Sequence, residues 1–371
     1  MKIREVRAIP LAIPMREGSP RSSWTAGTSK QVLVRITTDE GLVGWGEGFA
    51  YGAPLAVANV VDEALAPLLV GEDPTRIEHL TTSMHRALMI WGRRGLGMFS
   101  VSGVELALWD LAGKARGAPV YTLLGGLAQP RLRAYASLLR YETPADVAAV
   151  SAAVAAHGYT AVKLHQTDVA SVAAARGAVG DRVDLMLDTN CPWSVEDAIR
   201  IGRQLERFDL RWLEEPVWPP EDYAGLARVR AQLSMPIAAG ENDATIFGHA
   251  AIIAAGAVDV LQPSVTKVGG LGEMKKIATL AAAANVTLVP HCYYFGPGLA
   301  ATMHFATATP DVPYVEFPPG DLEAPLSAEP IRCVDGFVTI GDRPGLGADP
   351  DPDVLARYPY RGDRARPFIL T

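Results

Sequence analysis

Cysteine is scarce in this chain of 371 residues: Cys191, Cys292 and Cys333 are the whole complement. Three widely spaced thiols exclude a disulfide framework, give no zinc pattern and suit a reducing cytoplasm, the expected location. Basic charge is not in excess either. Lys and Arg number 34 against 41 Asp and Glu, for a net charge of −7 and a pI near 5.6. That balance argues against nucleic acid or an anionic membrane as the main partner. Long apolar runs are missing too. The most apolar region, Ile277 to Pro290, is too short to span a bilayer and carries Asn285. Residues 1–7 alternate charged and aliphatic side chains as a strand does, unlike a signal peptide. What is there is ordinary folded-protein composition, 49% apolar and 20% charged, in a chain long enough for one large domain or two.

The first 125 residues read as strands followed by helices. Gln31–Thr38 and Leu42–Gly48 flank an Asp39-Glu40-Gly41 turn, which predicts a hairpin. Helical patterns follow near Pro54–Ala66, Arg76–Ile90 and Ser102–Ala115, with Pro54 suited to a first helical position. From Arg131 short apolar runs alternate with helical ones. Strands are expected at Ala134–Leu138, Ala161–Leu164, Val183–Leu187, Leu210–Leu213, Ile237–Ala239, Val258–Leu261, Thr287–Val289 and Tyr314–Val315. Thr143-Pro144 and the Ser194/Asp197 pair mark helix starts between them. Repeated β-then-α units with apolar strands mean a parallel sheet covered on both faces. Chemically able residues just past most of the strands favour a closed α/β barrel over an open sheet. The expected organisation is an α+β lobe over 1–125, a barrel over 126–340, and a tail over 341–371 that packs back on the lobe.

Three acids stand at successive strand ends: Asp188, Glu214 and Glu241, spaced by 26 and 27 residues, one β/α unit each. Any one of them could cap a helix or face water, but Ser194 already supplies the cap after Asp188. All three in register point to one divalent cation at the rim of the barrel. Hard oxygen donors select magnesium or manganese over zinc, and three ligands leave positions open for a substrate's oxygens.

Further groups lie at matching depth. Lys163 and His165 are two apart on the second barrel strand and so share a face. His291 follows the seventh strand and Glu316 ends the eighth. Bases on either side of a metal-bound carboxylate could remove its α-proton, with the metal stabilising the enediolate and lowering the pKa of Lys163 and His165. His79, His85, His157, His249 and His304 fall in helical patterns and read as structural. Cys292 reads as a small buried residue, and Val268-Gly269-Gly270-Leu271-Gly272 as a helix start rather than a phosphate loop.

These residues bring out a resemblance over almost the whole chain to the enolase superfamily, in its mandelate racemase-like subgroup (the mandelate racemase/muconate lactonizing enzyme family). It is carried by Glu214-Glu215-Pro216, Gly240-Glu241-Asn242, Lys163-x-His165 and Lys267-Val-Gly269-Gly270. Ala107-Leu-Trp-Asp-Leu-Ala-Gly-Lys114, Leu123-Leu-Gly-Gly126 and Arg343-Pro-Gly-Leu-Gly347 support it. The resemblance implies a modified TIM barrel, (β/α)7β, with an N-terminal α+β capping domain. It also implies magnesium on Asp188, Glu214 and Glu241, and α-proton abstraction from a carboxylate substrate; enolase-superfamily sites pair a Lys or His base with magnesium.

Two positions depart from the subgroup. His165 replaces the second lysine of Lys-x-Lys. Ser264, 27 residues before His291, stands where an aspartate usually partners the seventh-strand histidine. Serine can orient His291 by a hydrogen bond but cannot stabilise an imidazolium as aspartate would. The expected reaction is therefore dehydration of a sugar acid or other hydroxy acid. In it Lys163 and His165 are the bases, His291 the acid, and Glu316 a contact to the substrate carboxylate or enediolate. Arg16, Arg21, Trp24, Asn190 and Ser264 are candidate substrate contacts, the first three on a Met15–Lys30 segment expected to close over the site. The alternatives are a racemase or epimerase using His165 and His291, and a degenerate barrel that binds metal or metabolite without turnover. A small carboxylate substrate and a homo-oligomer are expected.

Overall fold

The computed structural model describes residues 1–17 and 27–362. Strands β1 (Ile3–Pro14), β2 (Thr28–Thr38) and β3 (Val43–Gly48) form an antiparallel sheet in that order. The long helix Leu96–Arg116 packs on it because Gly44, Gly46 and Gly48 face it without side chains. A Cβ at Gly46 would fall 2.0 Å from the Gly103 carbonyl oxygen. Alternation then turns Trp45 and Glu47 the other way. The helical patterns appear as a run from Pro54 to Leu69 with a π turn at Val60–Leu65, and as Ile77–Ala87.

Eight parallel strands follow: β4 (Leu132–Ser137), β5 (Ala161–Leu164), β6 (Asp184–Asp188), β7 (Leu210–Glu214), β8 (Ile237–Ala239), β9 (Val260–Leu261), β10 (Thr287–Leu288) and β11 (Val315–Phe317). They are hydrogen-bonded in chain order from β4 to β10, and β11 pairs with β4. Seven helices separate them, from Pro144–Ala156 to Pro297–Ala308, which is the (β/α)7β plan. Thr143 and Ser194 cap their helices by accepting from the backbone N–H groups of Asp146 and Asp197. Among the described residues no ladder joins β10 to β11. A side chain crosses that seam instead: the Cys292 N–H donates to Glu316 Oε2 at 2.6 Å.

The barrel interior is filled at its lower level by Tyr135, Ala161, Met186, Trp212, Ala238, Val260 and Val289, with Tyr314 packed against them. Each is one residue of a period-two alternation, so the residue two further on shares its inward face one level higher. A short hairpin, β12 (Cys333–Val334) and β13 (Phe337–Val338), pairs antiparallel with the start of β4. Beyond it the chain returns to the lobe: Tyr360 N–H donates to the Pro10 carbonyl, and Val120 N–H to Gly345. No helix among the described residues is long and apolar enough to cross a membrane.

Candidate metal centre and active site

The upper interior level is polar. Asp188 and Glu214 are the last residues of β6 and β7 and face each other across the ladder. Glu241 follows β8 after Gly240, whose φ of +127° suits glycine and turns the chain at the strand end. One carboxylate oxygen from each acid lies within 4.8 Å of the others, and all three residues are buried. Burial, reinforced by the Asp188 charge, pushes the Glu214 carboxyl well above the usual range. Glu214 Oε2 accepts from Trp212 Nε1 at 2.9 Å and from Gln262 Nε2 at 2.8 Å. A set of buried, like-charged oxygen donors fits a hard divalent cation.

Cationic groups border both ends of this triad. Lys163 is fully buried, and its Nζ lies 3.0 Å from Glu214, 3.1 Å from Glu316 and 3.4 Å from Asp188. Burial alone would lower its pKa, but Glu214 and Glu316 outweigh it and hold the group well above the ordinary lysine value. The ammonium is the counter-ion of these carboxylates. His165 Nε2 sits 3.0 Å from Asp188 Oδ2, while its Nδ1 meets the Leu138 carbonyl. At the opposite end Glu241 receives Lys267 Nζ at 2.8 Å and His291 Nε2 at 3.2 Å. Lys267 also stands over the ring of Phe49 at 4.3 Å, which brings the N-terminal lobe to the rim.

Glu316 links the two sides. It accepts from Ser137 Oγ and the Cys292 N–H, both at 2.6 Å, and lies 4.0 Å from His291 Nε2. Burial opposes its ionisation, yet Lys163 leads the groups that hold its pKa at about 2. Burial takes His291 the other way, down to about 4, so its imidazole is neutral at pH 7. Ser264 makes its hydrogen bonds to Tyr294 and Thr266, and Tyr294 stands between it and His291. The direct Ser264–His291 bond expected from the sequence is replaced by this two-step contact, because the Tyr294 phenol reaches further than a serine hydroxyl.

The remaining sequence candidates are scattered. Arg16 is exposed and pairs with Asp321 at 3.2 Å. Arg21 and Trp24 lie outside the described residues. Asn190 donates its backbone N–H to Asp188 Oδ1 at 2.9 Å, and its buried Oδ1 has no partner among the described residues. Sequence reasoning missed Tyr294, Lys267, Gln262 and Ser137. Alternation could have found Ser137 and Gln262, which are two residues past inward-facing Tyr135 and Val260. Cys292 is buried and its thiol is pushed well up by burial, which suits packing rather than nucleophilic chemistry.

Comparison with known proteins agrees with this architecture. Residues 4–125 match the N-terminal domain of the mandelate racemase/muconate lactonizing enzyme family, and residues 145–354 match the enolase C-terminal domain-like family. D-galactarolactone cycloisomerase of Agrobacterium fabrum is 37% identical over 377 residues, covering 96% of this chain and 99% of the relative. Arabinonate dehydratase of Saccharolobus solfataricus is 34% identical over 328 residues, 85% of this chain and 87% of its own length. The crystal structure of the 3,6-anhydro-D-galactonate cycloisomerase from Zobellia galactanivorans superposes with a TM-score of 0.88 at 31% identity, covering 97% of this chain and all of that one. A (β/α)7β barrel under an α+β lobe, with three buried acids at adjacent strand ends, thus comes with whole-length likeness to sugar-acid dehydratases and cycloisomerases, and the chain belongs to the enolase superfamily, in its mandelate racemase/muconate lactonizing enzyme branch.

Proposed function

We propose that this protein is a magnesium-dependent enzyme that removes the α-proton of a sugar acid or sugar-acid lactone and expels the β-oxygen. The observation that carries this is the buried Asp188–Glu214–Glu241 cluster with Lys163 and His165 against one end and His291 against the other. Asp188, Glu214 and Glu241 would hold the cation, magnesium or alternatively manganese. Bound there, it would supply positive charge to the substrate carboxylate as the enediolate develops.

The chain's own groups then divide the work. His165, or Lys163 once the cation replaces it as the carboxylates' counter-ion and it can shed its proton, would take the α-proton, His291 would assist the departing oxygen from the opposite side, and Glu316 would fix Lys163 from the far wall. Buried polar atoms without partners among the described residues, Asn190 Oδ1 and Gln166 Nε2, follow β6 and β5 and suit hydroxyl groups of a polyol chain. In this reading the lobe of 1–125 caps the barrel of 126–340, and the Met15–Lys30 segment with Arg16, Arg21 and Trp24 meets the anionic substrate. The three free cysteines suit the cytoplasm, and the exposed Met89, Ile90 and Trp91 suit self-association.

If the β-oxygen is a hydroxyl the net reaction is dehydration. If it belongs to a ring it stays attached, and the net reaction is an isomerisation. The likeness to two cycloisomerases supports this second outcome on the same machinery. The deciding experiment incubates the protein with magnesium and a panel of aldonic acids, aldaric acids and their lactones in deuterated water. We expect α-proton exchange with formation of a keto acid or a ring-opened isomer for at least one. Exchange absent across the panel would sink the proposal; exchange with inversion and no elimination would favour a racemase or epimerase.

A further inference from the structure

Beside the acid triad the chain makes a turn that the proposed chemistry leaves unused. Residues 264–272 run from just past β9 into the helix Leu271–Ala283 and carry Lys267, whose Nζ rests on Glu241 Oε1 at 2.8 Å. The N-terminal lobe holds this turn at several points. Phe49 N–H donates to the Thr266 carbonyl at 3.2 Å, and Ser102 Oγ accepts from Gly269 N–H at 2.9 Å. Glu105 Oε2 accepts from Leu271 N–H and Oε1 from Gly272 N–H, both at 2.8 Å. Ser102 and Glu105 stand on the long lobe helix Leu96–Arg116.

The glycines of this turn answer the lobe's carboxylate. Gly269 and Gly270 have φ of +115° and +95°, and a Cβ on Gly270 would fall 2.0 Å from Glu105 Oε2. The segment is a glycine-lined anion cradle at a helix N-terminus, filled by the protein's own Glu105. Three N–H donors converge on that carboxylate, the third being Trp109 Nε1 at 2.7 Å. A group with two acceptor oxygens and no hydrogen satisfies all three, whereas glutamine would set its amide N–H against one of them. Glu105 and Ser102 are fully buried, so water does not stand in for either bond.

What the cradle holds in place is Lys267. Its buried ammonium lies between Glu241 and the face of Phe49. Lysine has a flexible four-carbon stem, so its charge is placed only where the main chain beneath it is fixed. The barrel's own ties are the Lys267 and Val268 N–H bonds back to Ser264 and the Thr245 N–H bond to Val268. Beyond Val268, the N–H groups of Gly269, Leu271 and Gly272 all go to the lobe.

We propose that Glu105 is a positioning residue: from the N-terminal lobe it fixes the 267–272 turn, and through that turn the ammonium of Lys267 against Glu241. The lobe thereby completes the charged layer of the barrel, and residue 105 reaches the site without touching it. The placement itself needs no substrate; its effect on turnover rests on the function proposed above.

The test has two arms. In the first, the folded protein in magnesium buffer is reductively methylated with formaldehyde and a borane, and each lysine is read by mass spectrometry. In Glu105→Gln, labelling of Lys267 should rise about tenfold over the parent, with buried Lys163 unchanged as the internal control. Ser102→Ala, which removes only the Gly269 acceptor, should raise it about threefold. Lys267 labelling that is unchanged in both variants, or that rises equally at Lys163, overturns the proposal. The second arm is a double-mutant cycle on turnover of whichever acid the panel above identifies. Glu105→Gln should slow turnover about tenfold in the parent protein and less than about twofold in Lys267→Met. Equal slowing in both backgrounds overturns the route through Lys267. If no acid in the panel reacts, the proposed function fails, while the labelling result decides the placement by itself.

Discussion

Ala161 and Lys163 share the inward face of β5, as do Met186 and Asp188 on β6, Trp212 and Glu214 on β7, and Tyr314, just before β11, with Glu316 on it. In each pair the first residue lies in the apolar floor of the barrel and the second in the charged layer above it. Both layers are buried, and the strands are the same, yet the forces differ. The floor is held by close packing and the release of water, with Tyr135, Trp212 and Tyr314 edge to face at 5.8 to 6.5 Å. The layer above has no such source of stability. Its charges lose their hydration and are tolerated only because Lys163, Lys267 and hydrogen bonds offset them. A dry floor therefore prepares the upper layer electrostatically, since each ion resting on it interacts more strongly than it would in water.

Changes in the two layers should separate function from stability. The largest effect is expected from Glu214→Gln, which removes one acid of the triad. Magnesium affinity measured by calorimetry should collapse and turnover fall by about 10³-fold or more. Resistance of the metal-free protein to urea near pH 7 should hold or rise, because burial and Asp188 disfavour the ionised Glu214 in the folded state. Lower urea resistance with intact metal binding would break the comparison. Trp212→Ala, one level down, should do the reverse. Truncating a buried Trp should cost about 3–5 kcal/mol in urea unfolding, with magnesium binding weakened only through loss of the Nε1 donor to Glu214.

Glu47 gives the smallest and most pH-specific effect. It is a buried acid outside both layers, turned from β3 toward the Gly298 N–H at 2.8 Å, and burial lifts its pKa to about 7. A raised carboxyl pKa stabilises the fold fully below the unfolded value near 4.5, and that contribution is lost as pH rises through 7. Glu47→Gln should therefore gain up to about 3 kcal/mol relative to the parent protein at pH 8 and little at pH 4. Urea unfolding at both pH values reads the difference, and a pH-independent difference would mean that Glu47 does not titrate there.

Much of this architecture is legible in the chain. All eight barrel strands lie within about two residues of their expected positions, and the caps at Thr143 and Ser194 form as read. Strand alternation, helix capping and β/α spacing depend on near neighbours, so they survive in a linear text. The clustering of Asp188, Glu214 and Glu241 was legible for the same reason: repeating units of equal length carry equivalent positions to the same rim. The bond between Ser264 and His291 was not. Both were placed correctly along the chain, but Tyr294 comes between them through a non-repeating segment after β10, where no period applies.

The sequence by itself determined a parallel barrel under a separate lobe, and three acids at one rim, because each follows from local periodicity repeated at a constant interval. The tertiary structure alone decided which partner each charge keeps. It set Lys163 between Glu214 and Glu316, Arg16 against Asp321, Glu316 across the open seam to Cys292, and Tyr294 behind His291. Those contacts join residues far apart in the chain or set on irregular loops, and their geometry exists only once the barrel has closed.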